Sequence, residues 1–102
     1  LDRGAVELSP EEAGAKVYKE KGCAACHSLD GVKGVGPSFK GLWGREESLS
    51  DGSKVLVDEN YVRESILNPQ AKIVKDFPPA MVAQPLSDDE ILSMIAYLKT
   101  LK

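Results

Sequence analysis

One five-residue cluster constrains this chain more than anything else in it. Cys23-Ala24-Ala25-Cys26-His27 contains both cysteines and the single histidine of the 102 residues. A disulfide between thiols three positions apart closes a very small loop and removes little chain entropy. The pair is therefore present for its chemistry, and the rest of the fold has to accommodate it. Zinc asks for about four ligands, whereas Cys23, Cys26 and His27 supply three. A thioredoxin-like redox pair belongs beside a strand–helix–strand pattern, but here the motif follows a helical stretch and leads into a glycine-rich loop.

The arrangement matches the C-x-x-C-H signature of covalent haem attachment. Two thiols at this spacing can add to the two vinyl groups on one edge of a porphyrin, with the adjacent His27 beneath the iron. Bis-His ligation within the chain is excluded, because there is no second His. Met81 and Met94 remain as candidates for the sixth position. Met94 falls on an apolar helical stripe and reads as core. Met81 follows Lys75-Asp76-Phe77-Pro78-Pro79-Ala80, where consecutive prolines stiffen the segment and can hold one side chain in place. The expected iron ligands are therefore His27 and Met81, with an open site or a lysine as the alternative to Met81.

Around the motif the sequence reads as helices and loops. Ser9-Pro10-Glu11-Glu12 opens a helix with a cap, a proline suited to the first turn and a capping-box glutamate. It continues through Val17 and Tyr18 to Lys21-Gly22. Gly14 costs about 1 kcal/mol relative to Ala inside a helix, which suggests a close backbone approach there. Residues 27 to 58 are rich in glycine and poor in helical pattern, a stretch suited to wrapping a cofactor. Asp51-Gly52, between Leu49 and Lys54-Val55-Leu56-Val57, predicts a small two-stranded ribbon. Asp58 caps a second helix from Glu59 to Leu67, ended by Asn68-Pro69. A loop then leads to Ser87-Asp88-Asp89-Glu90, a capping box, followed by Ile91, Met94, Ile95, Leu98 and Leu101 at helical spacing. The expected architecture is all-α: three main helices around one haem, with glycine-rich loops and a small β-ribbon. Residues 1–8 form a lead-in and residues 9–102 the domain.

Composition narrows the partners. An apolar share of 42% excludes a disordered chain, and a net charge of −3 argues against a nucleic-acid binder. No apolar run approaches the roughly 20 residues that span a bilayer, so no membrane insertion is expected of this segment. The opening Leu1-Asp2-Arg3-Gly4 reads as that of a mature product or an excised domain. Phe39, Leu42, Trp43, Leu56, Tyr61, Ile66, Phe77 and Val82 are the candidate lining of the cofactor pocket. Lys21, Lys33, Lys40, Lys72 and Lys75 flank it and offer a basic rim, whereas the acids of the helix starts are expected elsewhere.

From Ser9 to Lys102 these residues resemble the class I cytochrome c family. The resemblance rests on the ordered set of Gly14 and Tyr18, the Cys23–His27 motif, Gly34-Val35-Gly36-Pro37-Ser38-Phe39, Gly41-Leu42-Trp43-Gly44-Arg45, Met81 and Tyr97. It implies a one-electron carrier with one covalent haem c, not an enzyme on its own, whose partners are donor and acceptor redox proteins. It also implies roles for single residues: the Pro37 carbonyl as acceptor for the His27 ring N–H, and Trp43 and Arg45 beside the haem propionates. A narrower likeness rests on Gly41–Arg45, Leu49-Ser50-Asp51-Gly52-Ser53, Tyr61–Ile66 and Asn68-Pro69. These segments resemble the cytochrome c domain fused to subunit II of caa3-type cytochrome c oxidases. That likeness implies delivery of electrons to the dinuclear copper centre of a cupredoxin domain, on the periplasmic side of the bacterial cytoplasmic membrane. The alternatives are a free periplasmic cytochrome c and a haem sensor or enzyme with an open sixth site.

Overall fold

Reciprocal capping at Ser9 starts the first helix in the computed structural model, which describes residues 8–102; residues 1–7 of the expected lead-in lie outside the described residues. The Ser9 hydroxyl accepts from the Glu12 N–H at 3.1 Å, and the Glu12 carboxylate accepts from the Ser9 N–H at 2.9 Å. Helix α1 then runs Pro10–Glu20. Ser87 and Glu90 repeat the device at the start of α3, Asp88–Thr100. Between them lies α2, Glu59–Leu67, capped by the Asp58 carboxylate on the Tyr61 N–H. The order of elements is α1, β1 (Glu46–Ser48), β2 (Lys54–Leu56), α2 and α3, with a 3₁₀ turn at Cys23–Ala25 after α1.

Strands β1 and β2 pair antiparallel with Glu47 opposite Val55. The ribbon's first arm ends one residue before Leu49. The reason is the turn: the Asp51 carboxylate accepts from the Ser53 N–H and hydroxyl, while Leu49 and Gly52 take part in turn hydrogen bonds. Leu49 is drawn away to an isolated bridge with Val74.

Helices α1 and α3 form the principal packing contact. It is close because residue 14 has no side chain. A Cβ placed there would lie 2.6 Å from Cβ of Tyr97 and collide with the Ser93 carbonyl. The helix tolerates a poor helix former at this point because the tertiary contact requires it. Tyr18 and Tyr97 meet across the crossing with ring centroids 5.9 Å apart. Val17, Ile91, Ile95 and Leu98 complete a core that continues through Phe39, Val57, Val62 and Ile66.

Gly14→Ala should lower stability by about 2 kcal/mol, measured by denaturant unfolding, despite the better helix propensity of Ala. Separately, hydrogen bonds from the backbone of Ser9 and Ser87 hold the Glu12 and Glu90 carboxyls below the usual carboxylate range. That contribution is complete above the range and is lost as pH falls through the lowered folded values. Amide exchange in the first turns of α1 and α3 should therefore accelerate in acid before exchange at the helix centres does.

Candidate functional site

The end of α1 positions the cysteine motif. In the 3₁₀ turn the N–H groups of Cys26 and His27 both donate to the Cys23 carbonyl, at 3.2 and 2.9 Å. The Tyr18 hydroxyl, one helical turn back on α1, donates to the His27 carbonyl. The motif backbone is thus tied to the α1–α3 core rather than to a free loop.

The His27 ring is seated on three sides. Its Nδ1 donates to the Pro37 carbonyl at 2.8 Å. One ring face stacks on Phe39, with centroids 4.5 Å apart and planes 19° from parallel. Gly36 closes the third side: a Cβ there would lie 2.5 Å from His27 Cε1 and 2.8 Å from Nδ1. The Gly36 N–H in turn donates to the Cys26 carbonyl. Burial pushes the His27 imidazole below its ordinary range, partly opposed by the Pro37 bond. That direction favours the neutral ring. With Nδ1–H engaged, Nε2 carries a lone pair, the form that ligates a metal.

Cys23 and Cys26 are not joined in a disulfide, and burial pushes the Cys23 thiol up. A thiol kept protonated is a poor exchange nucleophile, which weighs against a disulfide-exchange role. Among the described residues no three His, Cys, Asp or Glu side chains converge to hold a metal ion.

The motif instead opens on a broad cleft with about 1250 Å³ of empty space, its mouth included. Cys23, Cys26 and His27 line it together with Phe39, Leu42, Val57, Val62, Ile66, Phe77 and Met81. Two thiols, one imidazole and one thioether in a largely apolar cleft suit a large flat apolar group that carries iron. Pro37 also lines the cleft.

Other expected residues fall elsewhere. Trp43 packs on the core under the Lys99 ammonium, 5.0 Å from its ring centroid, and does not line the cleft. Arg45 reaches the cleft only through a partner: its Nε lies 2.6 Å from Oε1 of Glu47, which does line it. Leu56 and Val82 are exposed rather than lining. For Leu56 the cause is strand alternation, which turns Val57 inward and Leu56 out. Residues missed by pattern alone include Val57, Glu47, Gln70 and Leu98. For Val57 the period-two signal was available. Glu47, partly buried, and Gln70, exposed, are polar residues that tertiary contacts place on the cleft lining, and no sequence pattern marks them.

The basic rim is also modified. Lys21 and Lys72 line the cleft, but Lys72 pairs with Glu64 at 2.5 Å and Lys21 approaches Glu90 at 3.9 Å. The start of α3, expected away from the cleft, therefore supplies an acid beside it. Lys33 sits 4.7 Å over the Phe77 ring.

Comparison with known proteins agrees with this arrangement. The family model for cytochrome c matches residues 11–102. Cytochrome c2 iso-1 of Magnetospirillum fulvum is 32% identical over 90 residues, covering 78% of this chain and 91% of that protein. Cytochrome c2 of Rhodospirillum rubrum is 32% identical over 111 residues, covering 88% and 96%. Among solved structures, cytochrome cH from Methylobacterium extorquens has a TM-score of 0.64 at 29% identity, covering 88% of this chain and 97% of its own.

The seat of His27 yields a prediction. Gly36→Ala should displace the ring and weaken its bond to Pro37, visible as a changed imidazole N–H signal in NMR and a lower Tm. An unchanged signal would mean that the loop moves aside without cost.

Proposed function

The chain belongs to the cytochrome c family, whose members carry one covalently bound haem c and transfer electrons rather than catalyse reactions of their own. From that premise we propose a freely diffusing carrier of the cytochrome c2 kind, closed on both sides of the iron by His27 and Met81. The observation that supports it most is the meeting of Cys23, Cys26, His27 and Met81 in one apolar cleft, although Met81 lies 54 residues (81 − 27) beyond His27 in the chain.

When bound, haem supplies the Fe(III)/Fe(II) couple. The chain's own residues do the rest. Cys23 and Cys26 would anchor the group through thioethers. The Pro37 carbonyl holds the His27 tautomer that leaves Nε2 free to ligate. Met81 would supply the second protein ligand to the iron and exclude outside ligands. Phe39, Val57, Val62 and Ile66 keep water away. Thioether ligation in an apolar pocket favours the reduced, less charged state. Arg45 reaches the cleft wall through Glu47, where its guanidinium would be the charge-assisted donor to a propionate.

The two relatives compared by sequence above are cytochromes c2, which favours a free carrier over the oxidase-fused domain. Within this reading the compartment is periplasmic and the partners are redox proteins met in brief encounters. Among the described residues no helix is long and apolar enough to cross a membrane. A cupredoxin region encoded upstream in the same reading frame would overturn the free-carrier reading in favour of the oxidase one.

The spectrum of the purified holoprotein tests the closed site. A sharp c-type reduced spectrum, a weak red Met–Fe(III) band and no response to carbon monoxide are expected; rapid carbon monoxide binding would point to a sensor or enzyme. Replacing both cysteines (Cys23→Ala with Cys26→Ala) should leave haem extractable into acid organic solvent. Haem retained by that double variant would contradict the thioether assignment.

A further inference from the structure

We propose that Gln70 is a positioning residue whose side-chain amide holds the Met81 segment against the cleft and so sets how firmly the sixth iron position is closed. The inference rests on the reading of Met81 as an iron ligand.

The Met81 segment has few means of holding itself. Pro78 and Pro79 have no N–H, which removes two donors from the loop. Its internal bonding is slight: the Ala80 N–H donates to the Pro78 carbonyl at 2.8 Å, and the Gln84 side chain reaches back to Val82 at 3.2 Å. The ends are tied elsewhere. Phe77 N–H donates to Val74 at 3.2 Å, and Gln84 N–H donates to Ile66 at the end of α2 at 2.9 Å. Between these ends, Gln70 alone among the described residues bonds by its side chain from the body of the protein to the backbone of residues 78–81. Its Nε2 lies 3.1 Å from the Pro79 carbonyl and 3.3 Å from the Met81 carbonyl. One amino group carries two hydrogens and can serve both acceptors. Both are carbonyls, so the amino end of the amide has to face them.

Gln70 is itself well placed to bear this load. It follows Asn68-Pro69 at the end of α2 and lines the same cleft as Met81. The Ala71 N–H donates to the Asn68 carbonyl and fixes the turn that carries it. The clamp therefore joins the ligand loop to α2, whose Val62 and Ile66 are anchored in the core.

An outside ligand competes only for the fraction of molecules in which the Met81 segment has swung away, so its apparent affinity scales with that fraction. Removing both hydrogen bonds should raise the open fraction about tenfold. The experiment is an imidazole titration of the ferric holoprotein, read from the visible spectrum, with the weak red band followed in parallel. Gln70→Leu keeps the bulk and removes the donors; Gln70→Glu places acceptors against acceptors. Both should bind imidazole about tenfold more tightly than the native protein and lose part of the red band. Ser9→Ala, which removes the α1 cap far from the loop, should lower Tm and leave imidazole affinity unchanged. Met81→Ala separates the two levels of inference. If Met81→Ala raises affinity strongly while both Gln70 variants stay within about twofold of native, the Gln70 assignment is wrong and the Met81 ligand stands. If Met81→Ala leaves affinity unchanged, Met81 is not the ligand and the role of Gln70 falls with it.

Discussion

The approach of α1 to α3 at Gly14 governs the placement of everything downstream. Without a Cβ the helices close until the space beside Ser93 and Tyr97 is filled. That closeness fixes the axis of α1, and so the position of Tyr18, whose hydroxyl holds the His27 carbonyl. The cysteine motif leaves α1 directly afterwards. A short chain can thereby hold a cluster of reactive groups in one place without a large sheet or a second domain behind it.

The two walls of the cleft are built differently. On the His27 side, a carbonyl, an aromatic ring and a glycine backbone each restrain the same imidazole. The Met81 side is a proline-bearing loop bonded at its ends and at Gln70. A wall with several independent restraints is rigid, whereas one with few buried contacts is drawn from the low-stability end of a structure. The His27 wall is thus the more restrained of the two, and the Met81 segment depends on a handful of hydrogen bonds.

Charge around the cleft is more balanced than a count of lysines suggests. Lys21 and Lys72 both line it, yet each lies beside a carboxylate, Glu90 and Glu64. Such half-exposed pairs contribute little to stability, but they mute the field that a partner would meet. The uncharged Val35 and Val82 are exposed in segments adjoining the cleft, so the surface there mixes apolar and paired-charge character.

Much of this was legible in residue order alone. Both capping boxes, the three helices and the pairing of thiols with an adjacent imidazole follow from local chemistry, because caps, helical periodicity and motif spacing act within a few residues. The special position of Gly14 was legible as well, as a local cost that only a tertiary gain could offset. Other features depended on the tertiary structure. The turn bonds of Asp51 moved the ribbon back from Leu49, strand alternation exposed Leu56, and Trp43 went to the core instead of the cleft. Glu47 and Gln70 reached the cleft although neither is apolar. Each of these outcomes is set by partners distant in sequence: Val74 for Leu49, Lys99 for Trp43, Pro79 and Met81 for Gln70. The sequence by itself determined which groups the chain offers to a cofactor. The tertiary structure alone decided which side chains face that cofactor, since a polar residue's orientation depends on partners that local pattern does not encode.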